Sequence, residues 1–495
     1  MTLFAAPSIS EWTLFVLLFV AIALFIAVAE FLRKRFNGSP EITRKLVHIL
    51  TGVLIYFAPD LFTSGIPAIA LAMVFISVNY TAIRFGLLKG IHGTNRRSYG
   101  TVYYPLSFLI LVLLFWDSAP FIISVSILIL ALGDAAAAIV GENIPSAHTY
   151  NLTSDKKSFE GSTAMFGVTS LIIGGAVWHH GLRFEGVFLF QIIVTIAAFV
   201  TVWESISSKG FDNLTVPLGA AFMLHYFFIE NPARGPQQIF HAVVLGTGIA
   251  LLSARFHFLT PSGSVATMLL ATIVYGIGGW KWTVPILVFF VASSIVSKYK
   301  KSRKAKFDAV FDKNDKRDEG QVAANGGVAG IIILVWYFFP EQMELFYIYL
   351  AALASVTADT WGTEIGILGK GKAVSLANFK RVEPGTSGGV SWIGFLGGTF
   401  GALLIVASAW VYDRHSLSGT VALMIVLSGV VGSLIDSIAG GTIQAQYRTE
   451  TGALTERTEV NGKPTRLISG IRWIDNDVVN WLCALSGALT MYLVL

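Results

Sequence analysis

Long apolar runs constrain this chain more than any other feature. WTLFVLLFVAIALFIAVAEFL (12–32) and TVALMIVLSGVVGSLIDSIAGG (420–441) are two of them. Runs near 20 residues match a bilayer core of about 30 Å at 1.5 Å per residue. A backbone in lipid finds no water, so only helices or closed barrels can span it. The runs lack the period-2 alternation of a barrel strand. The expected fold is therefore an all-α polytopic membrane protein. Composition agrees, with 54% hydrophobic and 13% charged residues, where a soluble domain has about 25% charged. The first run is too long for a signal-peptide core and reads as the first membrane helix. The single cysteine, Cys483, excludes an intrachain disulfide and a cysteine metal cluster, and reads as core packing.

Apolar segments fall at 13–32, 45–58, 65–85, 101–116, 119–141, 159–179, 186–205, 214–230, 238–254, 264–277, 281–298, 322–339, 342–367, 389–411, 419–440 and 476–494. About 14 to 16 crossings are expected from these. The loops at 33–45, 84–97, 148–158, 298–317, 369–381 and 442–475 follow odd-numbered segments, and most are rich in Lys and Arg. The intervening turns are short and poor in both. The positive-inside rule puts the rich loops in the cytoplasm, as in a bacterial inner membrane protein with its polar chemistry on that face. The segment 230–238 separates an expected domain 1–232 from a second, 233–495.

Carboxylates in apolar helices are costly and face a bundle interior or a wet cavity. The first half has Asp134, then the loop residues Lys156, Lys157 and Ser158, the helix start at Glu160, then Glu204 and the pair Asp212–Asn213. Arg44, Lys45 and His48 stand at the mouth of the second segment. The second half follows a similar order. Asp359 and Glu364 precede Lys380 and Arg381, a Gly-rich helix start at 384–391, then Asp436 and the pair Asp475–Asn476. We read this shared order as an internal duplication. Carboxylates with Asn suit Mg²⁺, Lys and Arg neutralise phosphoryl charge, and Gly-rich helix starts offer N–H groups to phosphate. Together they are parts for phosphoryl transfer. The plainer readings stand beside this. Loop Lys and Arg serve topology, Gly394, Gly397, Gly398 and Gly401 serve helix packing, and 298–317 is a solvated loop facing lipid headgroups. GILGKGKA (366–373) is not a phosphate-binding P-loop, because Ala373 replaces the hydroxyl and no strand precedes it.

The motifs TRKLVHILTG, RRSYGT, ALGDAAAAIVG, KKSFEGS and GFDNLTVP, over about residues 40–220, resemble the membrane phytol and dolichol kinase family. LTPSGSVAT, RDEGQVAANGGVA, ADTWGTEIG, VEPGTSGGVS, GSLIDSIAGGTIQAQY and IDNDVVN, over about 259–482, resemble a membrane family that includes plant phytyl-phosphate kinase. The stretch 451–467 departs from it in lacking the cysteines of many relatives. These resemblances imply a fused enzyme. It would phosphorylate an isoprenoid alcohol (phytol, geranylgeraniol or farnesol) to the monophosphate and then to the diphosphate, with CTP or another NTP as donor and Mg²⁺. Tocopherol synthesis and chlorophyll salvage use such products. The implied partners are the alcohol, the prenyl phosphate, the nucleotide and membrane lipid, with no nucleic acid. Expected catalytic residues are Asp134, Lys157, Glu160, Glu204, Asp359, Glu364, Lys380 and Asp436. Expected nucleotide-binding residues are Arg44, Lys45, His48, Lys156, Ser158, Arg317, Asn325, Arg381, Gly385, Thr386 and Ser391. Expected metal ligands are Asp134, Asp212, Asn213, Asp359, Asp436, Asp475 and Asn476. Two alternatives use similar parts: a transporter with repeated halves, whose charges would lie at mid-membrane, and a lipid cytidylyltransferase, which would release pyrophosphate.

Overall fold

The structure, a computed structural model, describes residues 2–36, 40–85, 99–181, 186–230, 235–299, 317–369, 373–382, 388–412, 414, 417–449, 452, 454–460 and 463–495. It is helical almost throughout, and the chain divides into two compact units, Met1–Gln237 and Gln238–Leu495. In the first unit the helices are α1 Ile9–Phe36, α2 Pro40–Tyr56, α3 Ile66–Phe85, α4 Gly100–Phe115, α5 Pro120–Asn143, α6 Phe159–His179, α7 Gly186–Ile206 and α8 Asp212–His225. A two-stranded ribbon, β1 Thr149–Tyr150 and β2 Lys157–Ser158, joins α5 to α6.

Helix α5 is the interior helix of this unit. Its most apolar window is 67% buried, against 17% for α1, so α1 faces outward and α5 inward. It packs against α2, α4, α6 and α8. Small residues allow the close approach. A Cβ on Gly52 of α2 would stand 2.3 Å from the Cβ of Ala131, and one on Gly161 of α6 would stand 2.7 Å from the Ala137 carbonyl oxygen. The run of alanines after Asp134 thus serves as a packing surface, as small residues do between membrane helices. Within α5 the segment Ile129–Asp134 is π-helical. Such turns are rare and favour functional sites.

The second unit holds α9 Gly235–Arg255, which begins just ahead of it, then α10 Pro261–Lys298, α11 Glu319–Phe338, α12 Glu344–Leu368, α13 Trp392–Trp410, α14 Gly419–Thr442 and α15 Asn476–Val494. The strands β3 Ala373–Ser375, β4 Arg381–Val382 and β5 Gly389–Val390 form one small sheet, with β3 central. Small antiparallel hairpins fill much of the polar stretch before α15. Helix α12 is central, packing on α10, α11, α13, α14 and α15. Its residues from Ile348 to Ala358 are all buried.

Every apolar segment read from the sequence falls on a helix. The number that can cross on length and apolarity alone is smaller, ten among the described residues. Two physical causes account for most of the difference. First, α2 and α4 are only 17 and 16 residues long, at or below the lower limit for a crossing, and the apolar stretch Gln238–Ser253 of α9 is short as well. Second, α12 is long enough at 25 residues but is surrounded by protein, so Ala, Ser and Thr replace lipid-facing residues. The segments 264–277 and 281–298 are also joined more closely than expected. They form one 38-residue run broken at Gly279, whose φ of 57° and ψ of −157° are not helical. A straight helix of that length would measure about 57 Å, nearly twice the bilayer core. The break makes two helices that share one residue as a joint.

Candidate active site

In the first unit the ends of α2, α5, α6, α7 and α8 converge on one cavity of about 870 Å³. Ten of the residues expected from the sequence line it: Arg44, Lys45, His48, Asp134, Lys156, Lys157, Ser158, Glu204, Asp212 and Asn213. They come from five separate stretches of chain, and the fold brings them to one place.

Lys157 is the hub. Strand β2 carries it beneath the end of α7, where its ammonium pairs with Glu204 and stands 3.8 Å from Asp212 Oδ2. The pair is enclosed, with side chains only 17% and 4% exposed for Lys157 and Glu204. Burial works against the Lys157 charge. The carboxylates of Glu204, Asp212 and Asp134 outweigh it and hold the ammonium above the ordinary lysine range. Asp212 is itself fixed by Asn213, whose backbone N–H and side-chain amide both donate to Oδ1 at 2.9 Å. Asp134, at the end of the π turn, lies within electrostatic reach of Lys157, Asp212, Glu204 and His48. Among the described residues it makes no hydrogen bond and no ion pair, so its oxygens are available to a ligand. Lys45 pairs with Glu142 at 2.7 Å across the cavity rim.

The remaining first-unit residues have structural duties. Ser158 caps α6 by accepting from the Gly161 N–H at 3.1 Å, while still lining the cavity. Glu160 does not line it. Its carboxylate accepts from the backbone N–H of His148 and meets the His148 ring at 2.8 Å.

The structure adds residues that sequence reasoning passed over. Thr51, Asn79, Thr101, Tyr104, Glu142, Asp155 and Lys209 also line the cavity. Lys209 has a φ of 54°, unusual outside glycine, and its N–H donates to Asp155 Oδ2 at 3.0 Å. The SKG sequence before Phe211 was the available signal, since a glycine follows at a further positive φ, in Gly210. Beyond the charged groups the wall turns apolar, with Ile22 and Ile26 of α1, Ile55 of α2, Leu71 and Phe75 of α3 and Phe108 of α4.

In the second unit, Asp359 of α12 and Asp436 of α14 are hydrogen-bonded to each other, and Asp436 Oδ2 is buried with no partner among the described residues. Arg317 lies over the rings of Phe289 and Phe290, 5.5 and 5.8 Å from their centres. Burial pulls its guanidinium down to about 10, and the nearby Glu364 carboxylate opposes this. Asn325 donates back to the Gln321 carbonyl at 2.8 Å. Ser391 and Asp475 are helix caps, accepting from Gly394 N–H at 3.1 Å and Val478 N–H at 3.0 Å. Asn476 is the first residue of α15. Lys380 and Arg381 are exposed on the β3–β4 hairpin. Gly385 and Thr386 lie outside the described residues. The glycines of α13 do pack helices, for a Cβ on Gly398 would stand 2.7 Å from the Ala358 carbonyl oxygen.

Among the described residues no three His, Cys, Asp or Glu side chains form a ready metal cluster. A dedicated protein cage is therefore absent from those residues. Mg²⁺ with a nucleotide needs only one or two carboxylates, the phosphates and water supplying the rest. Asp134 and Asp212, facing one cavity, fit that lesser demand.

Comparison with known proteins gives the second unit a family and the chain several relatives. Residues 244–488 match the family described as integral membrane protein DUF92. Protein PGR of Arabidopsis thaliana is 30% identical over 273 residues, covering 50% of this chain and 93% of that protein. A phytol kinase of Synechocystis sp. is 33% identical over 200 residues, covering 40% of this chain and 84% of the kinase. A chloroplastic farnesol kinase of Arabidopsis thaliana is 30% identical over 207 residues, covering 38% and 66%. No solved structure matches the chain.

Proposed function

This chain belongs to the DUF92 integral membrane family, and from that premise, with its likeness to phytol and farnesol kinases, we propose that it is a fused membrane kinase acting twice on one isoprenoid. The first unit converts an isoprenoid alcohol to its monophosphate. The second extends the monophosphate to the diphosphate. CTP or another NTP is the donor, and the sites face the cytoplasm of a bacterial inner membrane.

One observation carries the first step. A single cavity joins an apolar wall (Ile22, Ile26, Leu71, Phe75, Phe108) to the charged cluster of Asp134, Lys157, Glu204 and Asp212. A greasy chain with one polar end needs such a container. In the reaction the alcohol oxygen bonds to the terminal phosphorus of the nucleotide. The bond from that phosphorus to the bridging oxygen breaks, the diphosphate leaves, and the hydroxyl proton passes to a carboxylate. Glu204 is committed to Lys157, so Asp134 and Asp212 divide the work of proton acceptor and Mg²⁺ ligand. Bound Mg²⁺ would supply charge neutralisation on the phosphates. Lys157, held charged, stabilises negative charge on the transferring group, and Arg44, Lys45, Lys156 and Lys209 surround the nucleotide phosphates.

The second step rests on motif order, on the Asp359–Asp436 pair, and on Arg317 within electrostatic reach of Glu364. The test is direct. Purified chain supplied with phytol, CTP and Mg²⁺ should yield phytyl monophosphate, then diphosphate, with release of CDP. Asp134→Asn should lower the first step by roughly a hundredfold or more, and added phytyl phosphate should bypass it. Asp359→Asn should stop the second step alone. No product from phytol, farnesol or geranylgeraniol would sink the proposal. Equal loss of both steps in either folded variant would sink the two-site assignment. Release of pyrophosphate would point to nucleotidyl transfer instead.

A further inference from the structure

Four polar atoms in the wall of the first-unit cavity have no hydrogen-bond partner among the described residues: His48 Nε2, Thr51 Oγ1, Thr101 Oγ1 and Tyr104 Oη. They form two pairs. His48 and Thr51 are three residues apart on α2, and Thr101 and Tyr104 are three apart on α4, so each pair shares a helix face. The rings of His48 and Tyr104 stack with centres 4.6 Å apart and planes 27° from parallel, which ties the pairs together. The histidine is held from behind by a hydrogen bond to the backbone of Leu130, inside the π turn. Thr51 and Tyr104 are only 8% and 9% exposed. A buried polar atom left unpaired costs about 1–3 kcal/mol. Four along two facing helices of one cavity therefore make sense as contacts for a ligand group.

The chemistry of the four narrows that group. Two threonine hydroxyls, a phenol and an imidazole can donate and accept, whereas a phosphate subsite would be built from cations and backbone N–H groups. Such cations stand elsewhere in the same cavity, in Arg44, Lys45, Lys156 and Lys157. The apolar wall continues on the same two helices, at Ile55 of α2 and Phe108 of α4. Asp134 lies within electrostatic reach of His48. A group that is uncharged, both donor and acceptor, and attached to a hydrocarbon is an alcohol.

We propose that His48, Thr51, Thr101 and Tyr104 form the subsite that grips the hydroxyl of the isoprenoid alcohol and presents it to Asp134. These are positioning residues, and His48 belongs to the alcohol and not to the nucleotide. The inference rests on the reading of the first unit as an alcohol kinase. Its consequence is selectivity. A site built to hydrogen-bond a hydroxyl rejects an analogue that lacks one, because its own polar groups are then left unpaired.

The experiment uses the full chain in lipid nanodiscs and two readouts. In the first, thermal stabilisation is measured with phytol, phytyl methyl ether and the parent hydrocarbon at equal mole fraction in the lipid. Wild type should prefer phytol, and Tyr104→Phe and Thr51→Val should each weaken that preference by roughly tenfold. In the second, the KM for phytol should rise in both variants while the KM for CTP stays put. Unchanged preference and unchanged phytol KM in folded variants would overturn the subsite, as would a rise confined to the CTP KM. Thr51→Val keeps the side-chain shape, so it serves if Tyr104→Phe does not fold. The two claims separate cleanly. A wild-type chain that prefers phytol but does not phosphorylate it upholds the subsite and sinks the kinase reading. A chain that phosphorylates phytol equally well in both variants does the reverse.

Discussion

Lys157 shows how much of the site depends on one side chain. It is enclosed by Glu204, Asp212 and, at longer range, Asp134. Its pKa is raised, so the charge it contributes is fully present below the ordinary lysine value. It is lost only as pH climbs through the still higher folded value. Working pH does not switch it, but substitution does. Lys157→Met should destabilise the chain by about 3–5 kcal/mol, because Glu204 is left buried and unpaired. Adding Glu204→Leu should recover much of that loss in thermal unfolding while leaving the phosphorylation rate abolished. If the double variant melted no higher than the single one, the pair would not be the source of the cost. At this scale the sequence was partly legible. Asp134, Lys157 and Glu204 stood out as charges in or beside apolar helices, and the cavity collects them. Glu160 looked equivalent, but its side chain turns to His148. Thr51, Thr101 and Tyr104 were invisible, because being unpaired is a property of packing and leaves no mark on residue type.

Helices were the most legible level, since a membrane leaves the backbone few options. The misreadings concern how helices join and what surrounds them. Gly279 was a plain glycine in GIGGW, yet it occupies a conformation that side chains resist. Gly279→Ala should strain the joint between the two helices of α10. We expect a loss of about 1–2 kcal/mol, read as a lower melting temperature, whereas Gly248→Ala, with open space around it, should be neutral or slightly stabilising. Equal effects at the two positions would show that the joint is unstrained. Helix α12 was read correctly as a segment, but its low apolarity has a cause that only the structure supplies. It touches other helices on its sides and meets little lipid.

For the whole molecule, the boundary read near 232 lies five residues from the division between the compact units. Under the proposed function, the reason for joining two steps on one chain lies in the intermediate. A prenyl monophosphate is amphiphilic and stays in the bilayer. If it moves through the lipid, Asp134→Asn and Asp359→Asn chains reconstituted in the same vesicle should together make diphosphate from phytol. Chains in separate vesicles should not. Failure of the mixed vesicle, with each variant retaining its remaining step, would show that the intermediate never leaves its own chain. The shared order of motifs in the two halves was readable from residues alone. The convergence of the first unit's motifs on one cavity was not, because it needs contacts between stretches more than a hundred residues apart.

The π turn at Ile129–Asp134 has a consequence for how this segment can change over time. An α-helix rotates about 100° per residue, and a π turn absorbs roughly one residue beyond the regular repeat. Everything after it, Asp134 included, is therefore rotated relative to Pro120–Leu128 by that single extra residue. Relaxing the turn to regular α-helix with every residue kept would leave the composition of the span unchanged, yet swing the carboxylate away from Lys157 by about 100°. Side chains along this stretch can be exchanged within limits of size, but the extra residue must stay bulged, and the site reads that bulge as an angle.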